Sequence, residues 1–225
     1  MTGTVAQRIA NIRSQLPTSV RLIAVTKQVP VETMRAAYAA GLRDFGESRI
    51  QEAATKQAML QDLPDITWHL IGHLQNNKAQ KTLEQFHWIH SIDSLKLAQR
   101  LDLLAEGRSR KPQVLLQVKI LRDPNKSGWT IPDIMADLHQ LEQCRNLKIQ
   151  GLMSIPPLRL ETAEIENFFE QTAQLADRIR LQNWSQIQMQ HLSMGMSNDY
   201  QLAVRAGATM VRLGRILFAD GSNET

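Results

Sequence analysis

Cysteine is almost missing from this sequence: Cys144 is the one example in 225 residues. It excludes an internal disulfide and fits a reducing compartment. No run of about 18 apolar residues occurs, and Met1 to Ala10 lacks the basic-then-apolar pattern of a secretory leader, so the sequence offers neither membrane span nor export signal. A cytoplasmic location is the expectation. Aromatic residues make up 5%, and no block of five like charges occurs. Nucleic-acid readers combine a basic surface with stacking aromatics. The 26 basic and 22 acidic residues here leave only +4, with a sequence pI near 9.4. No nucleic-acid partner and no membrane partner is expected. Neither a P-loop nor a GxGxxG motif is present.

What is present is a large apolar fraction, 43%, in a chain long enough to bury roughly 70% of its unfolded surface. Apolar, β-rich runs recur eight times: Leu22–Thr26, Leu42–Phe45, Ile66–Ile71, Trp88–Ser91, Val114–Ile120, Ile149–Ser154, Met189–Ser193 and Met210–Leu213. Between them the apolar period becomes helical, over Val31–Ala40, Glu47–Gln61, Asn76–Phe86, Ser94–Glu106, Ile131–Cys144, Glu161–Leu181 and Asp199–Ala206. Pro30 and Pro132 lie at helix starts, Gly41, Gly107 and Gly207 lie just past helix ends, and Ser197 or Asn198 suits a cap for the seventh. Eight strand–helix units predict an α/β fold, a (β/α)8 TIM barrel, in preference to an open doubly wound sheet. An extra helix over Thr4–Leu16 precedes the first strand, and only about a dozen residues follow the last. The early helix is therefore expected to fill the place of an eighth outer helix. With no linker in view, residues 1–225 read as a single domain.

In such a barrel, function gathers where strands run into the following loops. Lys27 ends the first strand. Partial desolvation there lowers an amine's pKa and favours Schiff-base chemistry with an aldehyde, although a strand-end lysine also snorkels to solvent. Ser193-Met194-Gly195-Met196-Ser197 runs from strand to helix, with hydroxyls, a glycine and free helix amides, a pattern suited to an anion and equally to a plain capped turn. Gly214, after the eighth strand, allows close backbone approach to a ligand. Arg212 shares parity with Met210 and points inward, where it needs a carboxylate or a ligand acceptor. Lys119, on the fifth strand, is a rival inward amine. His69, His73, His87 and His90 lack metal-ligand spacing and read as core or solvated histidines, with no metal expected. Cys144 reads as packing.

With these residues in view, the sequence resembles the pyridoxal phosphate homeostasis protein family over nearly its whole length. The resemblance is carried by Ala24-Val25-Thr26-Lys27, Phe45-Gly46-Glu47-Ser48-Arg49-Ile50-Gln51-Glu52 and Trp68 to Lys78, then by Ser91-Ile92-Asp93-Ser94 and Lys126-Ser127-Gly128. Gly151-Leu152-Met153, Ser193 to Asp199 and Val211-Arg212-Leu213-Gly214 complete it. It implies an alanine racemase N-terminal-domain-like barrel that binds pyridoxal 5′-phosphate (PLP) as a Schiff base on Lys27. It further implies a phosphate cradle of Ser193, Gly195, Met196, Ser197 and Gly214, extended by Arg215, with Arg212 near the pyridine nitrogen. The implied role is PLP supply and amino-acid balance, with PLP-dependent apo-enzymes as possible partners. Three positions depart from the family: Ser48 and Lys119 each stand in place of an asparagine, and Ala219 follows Phe218 where a glycine is usual.

Three functions use the same lysine and anion site. A racemase needs proton donors and acceptors on both faces of the cofactor, and in alanine racemases one is a tyrosine from a second, β-rich domain. Tyr38 and Tyr200, the two tyrosines here, fall on predicted helices, and the barrel units use almost the whole length. An arginine at the ring nitrogen also weakens the electron-sink behaviour of PLP. The expectation is thus a PLP carrier or regulator that is not an enzyme, and a monomer. A racemase is the alternative, followed by a Schiff-base aldolase.

Overall fold

A computed structural model describes residues 3–121, 123 and 126–218. Within them, eight parallel strands pair in chain order and β8 returns to β1, closing the barrel. The strands are β1 (Arg21–Val25), β2 (Asp44–Glu47), β3 (Thr67–Leu70), β4 (Trp88–Ile92), β5 (Gln113–Val118), β6 (Lys148–Ser154), β7 (Ile187–Ser193) and β8 (Met210–Leu213). Helices α1 (Val5–Gln15), α2 (Val31–Ala39), α3 (Ile50–Met59), α4 (Ala79–Gln85) and α5 (Leu95–Ala105) belong to the first half. The second half carries α6 (Ile131–Leu141), α7 (Thr162–Arg180), α8 (Tyr200–Arg205) and a single turn, α9 (Arg215–Phe218). Among the described residues no helix is long and apolar enough to cross a membrane.

Two cores follow from strand alternation. Ile23, Trp88, Leu115, Met153 and Met210 pack together inside the barrel. Their strand neighbours Leu22, Ala24, Leu116, Leu152 and Val211 belong to the larger layer between strands and helices. Replacing fully buried Leu115 by alanine is worth about 2–5 kcal/mol at such a site.

The early helix behaves as expected. Thr4 and Gln7 form a capping box at its start. Its Arg8 Nε donates to the Leu217 carbonyl at 2.7 Å, its Arg13 donates to the carbonyls of Ala40 and Gly41, and Gln15 accepts from the Tyr200 hydroxyl at 2.9 Å. Helix α1 therefore fills the outer layer between α2, α8 and α9.

The second strand begins two residues later than the apolar run suggested. Gly41, at φ +89°, ends α2, and Leu42 folds back so that its amide reaches the Ala37 carbonyl at 3.1 Å. That is how an apolar residue seals a helix C-terminus. The shift puts Gly46 and Glu47 in the strand and delays α3 to Ile50. Likewise, Asn76–Lys78 is a 3-10 turn before α4. Asp199, and not Ser197 or Asn198, stands at the cap position of α8; its side chain makes no capping bond and accepts instead from the Met196 amide.

Candidate functional site

Lys27 lies just beyond β1 at the C-terminal mouth of the barrel, and it is exposed. The strand-end position suggested a partly covered amine; the structure leaves the side chain open to solvent. What holds the residue is its backbone. Lys56, on α3, is buried and donates to the Thr26 carbonyl at 2.5 Å, to Glu47 Oε1 at 2.9 Å and to Glu52 Oε1 at 2.6 Å. All three ammonium protons are thus used. Glu52 Oε1 also receives the Gln28 amide at 2.6 Å, and the Thr26 hydroxyl donates to Glu47 Oε1 at 2.6 Å. Gln28 is left-handed at φ +60°, a conformation that costs a non-glycine residue about 1–2 kcal/mol. The residues on both sides of Lys27 are clamped from α3 and β2.

Burial pushes the Glu47 carboxyl up from its ordinary range, against the pull of Thr26 and Lys56. Its Oε2 is buried without a hydrogen-bond partner. Glu52, half-exposed, is held below the ordinary range by Lys56 and the Gln28 amide, against its own partial burial.

The loops after β7 and β8 form the other side of the mouth. Strand β8 lies between β7 and β1, with Ser193 opposite Met210 and Arg212 opposite Ile23. Among the described residues, no group accepts a hydrogen bond from the amides of Ser197, Asn198, Gly214 or Arg215. The Ser197 hydroxyl accepts from the Ile216 amide at 3.4 Å and so ties the two loops together. Amides without an acceptor among the described residues, on two neighbouring loops, suit an anion. Gly195 serves packing: at φ +91°, a Cβ there would lie 2.6 Å from the Ala203 Cβ. Gly214 has the same kind of reason, since a Cβ would stand 3.3 Å from Val25 Cβ and Val25 O on the neighbouring strand.

Arg212 is inward and buried, as parity suggested. Its partners are neither carboxylate: Nη1 donates to the Ser193 carbonyl at 2.6 Å and the Ser193 hydroxyl at 2.7 Å, and Nη2 to the Ser154 carbonyl at 3.0 Å. Burial draws its pKa down to about 10, with the charge of Asp199 pulling the other way. Ser193 is fully buried behind this guanidinium, and its hydroxyl is already engaged. Met196 and Ser197 are half-buried and Arg215 is exposed at the mouth. Lys119 stands one residue past β5, half-buried, with its amide on the Trp129 carbonyl. Ser48 follows β2 at the same end. Ala219 lies outside the described residues.

Sequence reasoning missed Lys56, Glu47 and Glu52 as a unit. The signal was available only in part: Glu52 and Lys56 are four apart, the spacing of a helical ion pair. Tyr38 and Tyr200 lie in the outer layer, bonded to Asp65 and Gln15.

The model for the N-terminal domain of alanine racemase matches residues 2–221. The chain is 52% identical to the pyridoxal phosphate homeostasis protein of Synechocystis sp., covering 94% of this chain and 96% of that one. It is 40% identical to the protein of the same name from Pseudomonas aeruginosa, over 96% and 95% of the two. PipY of Synechococcus elongatus, solved with PLP bound, superposes with a TM-score of 0.92 at 51% identity, over 96% of this chain and all of that one. An alanine racemase of Clostridium difficile, at 15% identity and TM-score 0.73, shares the fold over 58% of its length.

Proposed function

Because the chain belongs to the pyridoxal phosphate homeostasis protein family, we propose that it binds PLP at the barrel mouth and acts in PLP homeostasis and amino-acid balance. The observation that carries this reading is Lys27, solvent-accessible yet fixed on both sides, at the same end of the barrel as the loops after β7 and β8, whose Ser197, Asn198, Gly214 and Arg215 amides have no acceptor among the described residues. These residues fit the group. A phosphate needs convergent N–H donors, and the amides of Ser197, Asn198, Gly214 and Arg215 provide them. A ring nitrogen needs a donor, and buried Arg212, with no carboxylate partner, is one. When bound, PLP supplies an aldehyde that condenses reversibly with a primary amine, with loss of one water. Lys27 supplies the amine, Ser197, Gly195, Met196 and Gly214 shape the phosphate end, Arg215 adds charge at its rim, and Ser193 acts through Arg212.

A carrier or regulator is favoured over a racemase by two features of this mouth. Both tyrosines lie in the outer layer, and Arg212 keeps its proton, so the ring nitrogen has no acid to take one from. PLP-dependent apo-enzymes are the recipients this role implies. We place the protein in the cytoplasm as a monomer, acting as one barrel domain.

The test is borohydride reduction of the PLP-loaded protein followed by peptide mass mapping. A reduced pyridoxyl group on Lys27, lost in Lys27→Ala, is expected. An adduct on Lys119, or none, overturns the assignment. A chiral assay with several amino acids under saturating PLP decides between carrier and enzyme: turnover of about 1 s⁻¹ or more overturns the carrier reading.

A further inference from the structure

A line of hydrogen bonds runs through the barrel from one end to the other. Arg212 Nη1 meets Ser193 Oγ at 2.7 Å, Ser193 Oγ meets His90 Nδ1 at 2.9 Å, and His90 Nε2 meets His69 Nδ1 at 2.9 Å. His69 Nε2 then meets Asp44 Oδ1 at 2.9 Å. Asp44 is the first residue of β2 and Ser193 the last of β7, so the line joins the floor of the barrel to its mouth. Ser193, His90 and His69 are each 0% exposed. The Trp88 ring stacks on His69, 6.0 Å between centroids, and covers the line with an apolar face. At the floor, Arg21 lies 3.6 Å from Asp44, and both line a cavity of about 430 Å³.

The two ends determine where every proton sits. A guanidinium only donates and a carboxylate only accepts, whereas a hydroxyl and a neutral imidazole each offer one proton and accept another. Starting from Arg212, Ser193 accepts and must donate to His90 Nδ1. His90 then carries its proton on Nε2 and gives it to His69 Nδ1, and His69 carries its proton on Nε2 and gives it to Asp44. No other arrangement satisfies all four contacts with neutral rings. Burial holds both imidazoles neutral, lowering His90 well below its ordinary pKa and His69 below it against the pull of Asp44.

We propose that Asp44, His69, His90 and Ser193 form a one-directional chain of positioning residues, set by the acceptor oxygen of Asp44, that orients Arg212 at the mouth. With its proton committed to His90, the Ser193 oxygen faces Arg212 purely as an acceptor and, with the carbonyls of Ser193 and Ser154, fixes the guanidinium plane. Only what that plane addresses rests on the PLP reading; the chain itself stands without it.

The test uses the unliganded full-length protein, with ¹⁵N–¹H NMR of the imidazoles and of the Arg212 guanidinium, in wild type, Asp44→Asn and Asp44→Leu. Wild type is expected to show both rings neutral, protonated on Nε2, with separate, slowly exchanging Arg212 Nη protons. Asp44→Asn keeps an acceptor oxygen and should preserve both signatures. Asp44→Leu removes the acceptor, so both rings should move to the Nδ1–H form and the Arg212 signals should average. A PLP titration run alongside should show retention weakened about tenfold in Asp44→Leu and rescued in Asp44→Asn, the scale typical of outer-shell partners. An Nδ1–H ring or an imidazolium in wild type at pH 7, or a leucine variant that leaves the tautomers or the Arg212 signals unmoved, overturns the chain. Failure of wild type to take up PLP overturns the function proposed above, while the NMR signatures still decide the chain.

Discussion

The ammonium of Lys56 holds the carbonyl of Thr26 at 2.5 Å, and with it the backbone that leads into Lys27. A buried lysine on a neighbouring helix thus presents an exposed lysine at the mouth. Replacing Lys56 by methionine keeps the stem and removes the charge, leaving Glu47 buried without its cation. Breaking such a pair costs about 3–5 kcal/mol. The sign with pH is definite. A carboxyl with a raised pKa contributes stability that is present below its ordinary pKa of 4.5 and lost as pH rises through the folded value. Urea unfolding of Lys56→Met should therefore show a larger deficit at pH 8 than at pH 5. The double variant Lys56→Met, Glu47→Gln should recover part of it. A deficit independent of pH would remove Glu47 from the account.

The two serines of the β7 loop should separate in their effects on PLP. Ser197 ties the loops and lies at the unpaired amides, whereas Ser193 reaches the mouth only through Arg212. Ser197→Ala is expected to raise the PLP dissociation constant by severalfold, roughly the worth of one hydrogen bond. The measurement is fluorescence or absorbance titration with PLP, repeated with inorganic phosphate as competitor. The inhibition constant of phosphate should rise by a similar factor in the variant; an unchanged phosphate constant would remove Ser197 from the anion site.

Gly195→Ala should be poorly tolerated. The substitution meets Ala203 on α8 at 2.6 Å and leaves an L-residue at φ +91°, which together amount to about 2–4 kcal/mol. Thermal unfolding reads this directly. A melting temperature within one degree or so of wild type would show that the loop is free to shift.

Acid should weaken the fold through its buried histidines. His69 and His90 are held neutral by burial, and His87, also partly buried, is lowered to about 4 while its Nδ1 accepts the Trp68 amide. Below the ordinary value of 6.5, the unfolded chain takes up protons that these folded imidazoles refuse. Stability is therefore full above that value and declines as pH falls toward the folded values. Each fully buried ring steepens the decline by up to about 1.4 kcal/mol per pH unit. Glu47 and Asp199, both raised by burial, work in the opposite sense, but they are two groups against four once half-buried His191 is included. The urea midpoint is expected to drop from pH 7 to pH 5; a flat or rising profile would mean that the rings are charged in the fold.

Which parts of this were legible in the sequence follows from how far each signal reaches. Lys27, Arg212 and the Ser193 loop were visible because each is read from its own strand: a strand end, a parity, a loop with hydroxyls and a glycine. The start of β2 was not, because Leu42 is as apolar as a strand residue while serving as a helix seal. The Lys56 clamp joins α3 to the ends of β1 and β2, and the line from Asp44 to Arg212 joins five strands. Closure of the barrel creates those neighbours, and no local spacing announces them. His69 and His90 could be recognised as core residues, but not as partners. The exposure of Lys27 was misjudged for a related reason: a strand end fixes direction, while depth depends on the loops around it.

The contact between Arg8 and the Leu217 carbonyl spans 209 positions. During synthesis the first helix leaves the ribosome long before its anchor exists, a delay of about 10–40 s at ordinary elongation rates. Until then α1 can dock on α2 but lacks its neighbours α8 and α9. The barrel's outer layer is therefore closed between segments made far apart in time, and a nascent chain halted before Leu217 would leave Arg8 without this acceptor.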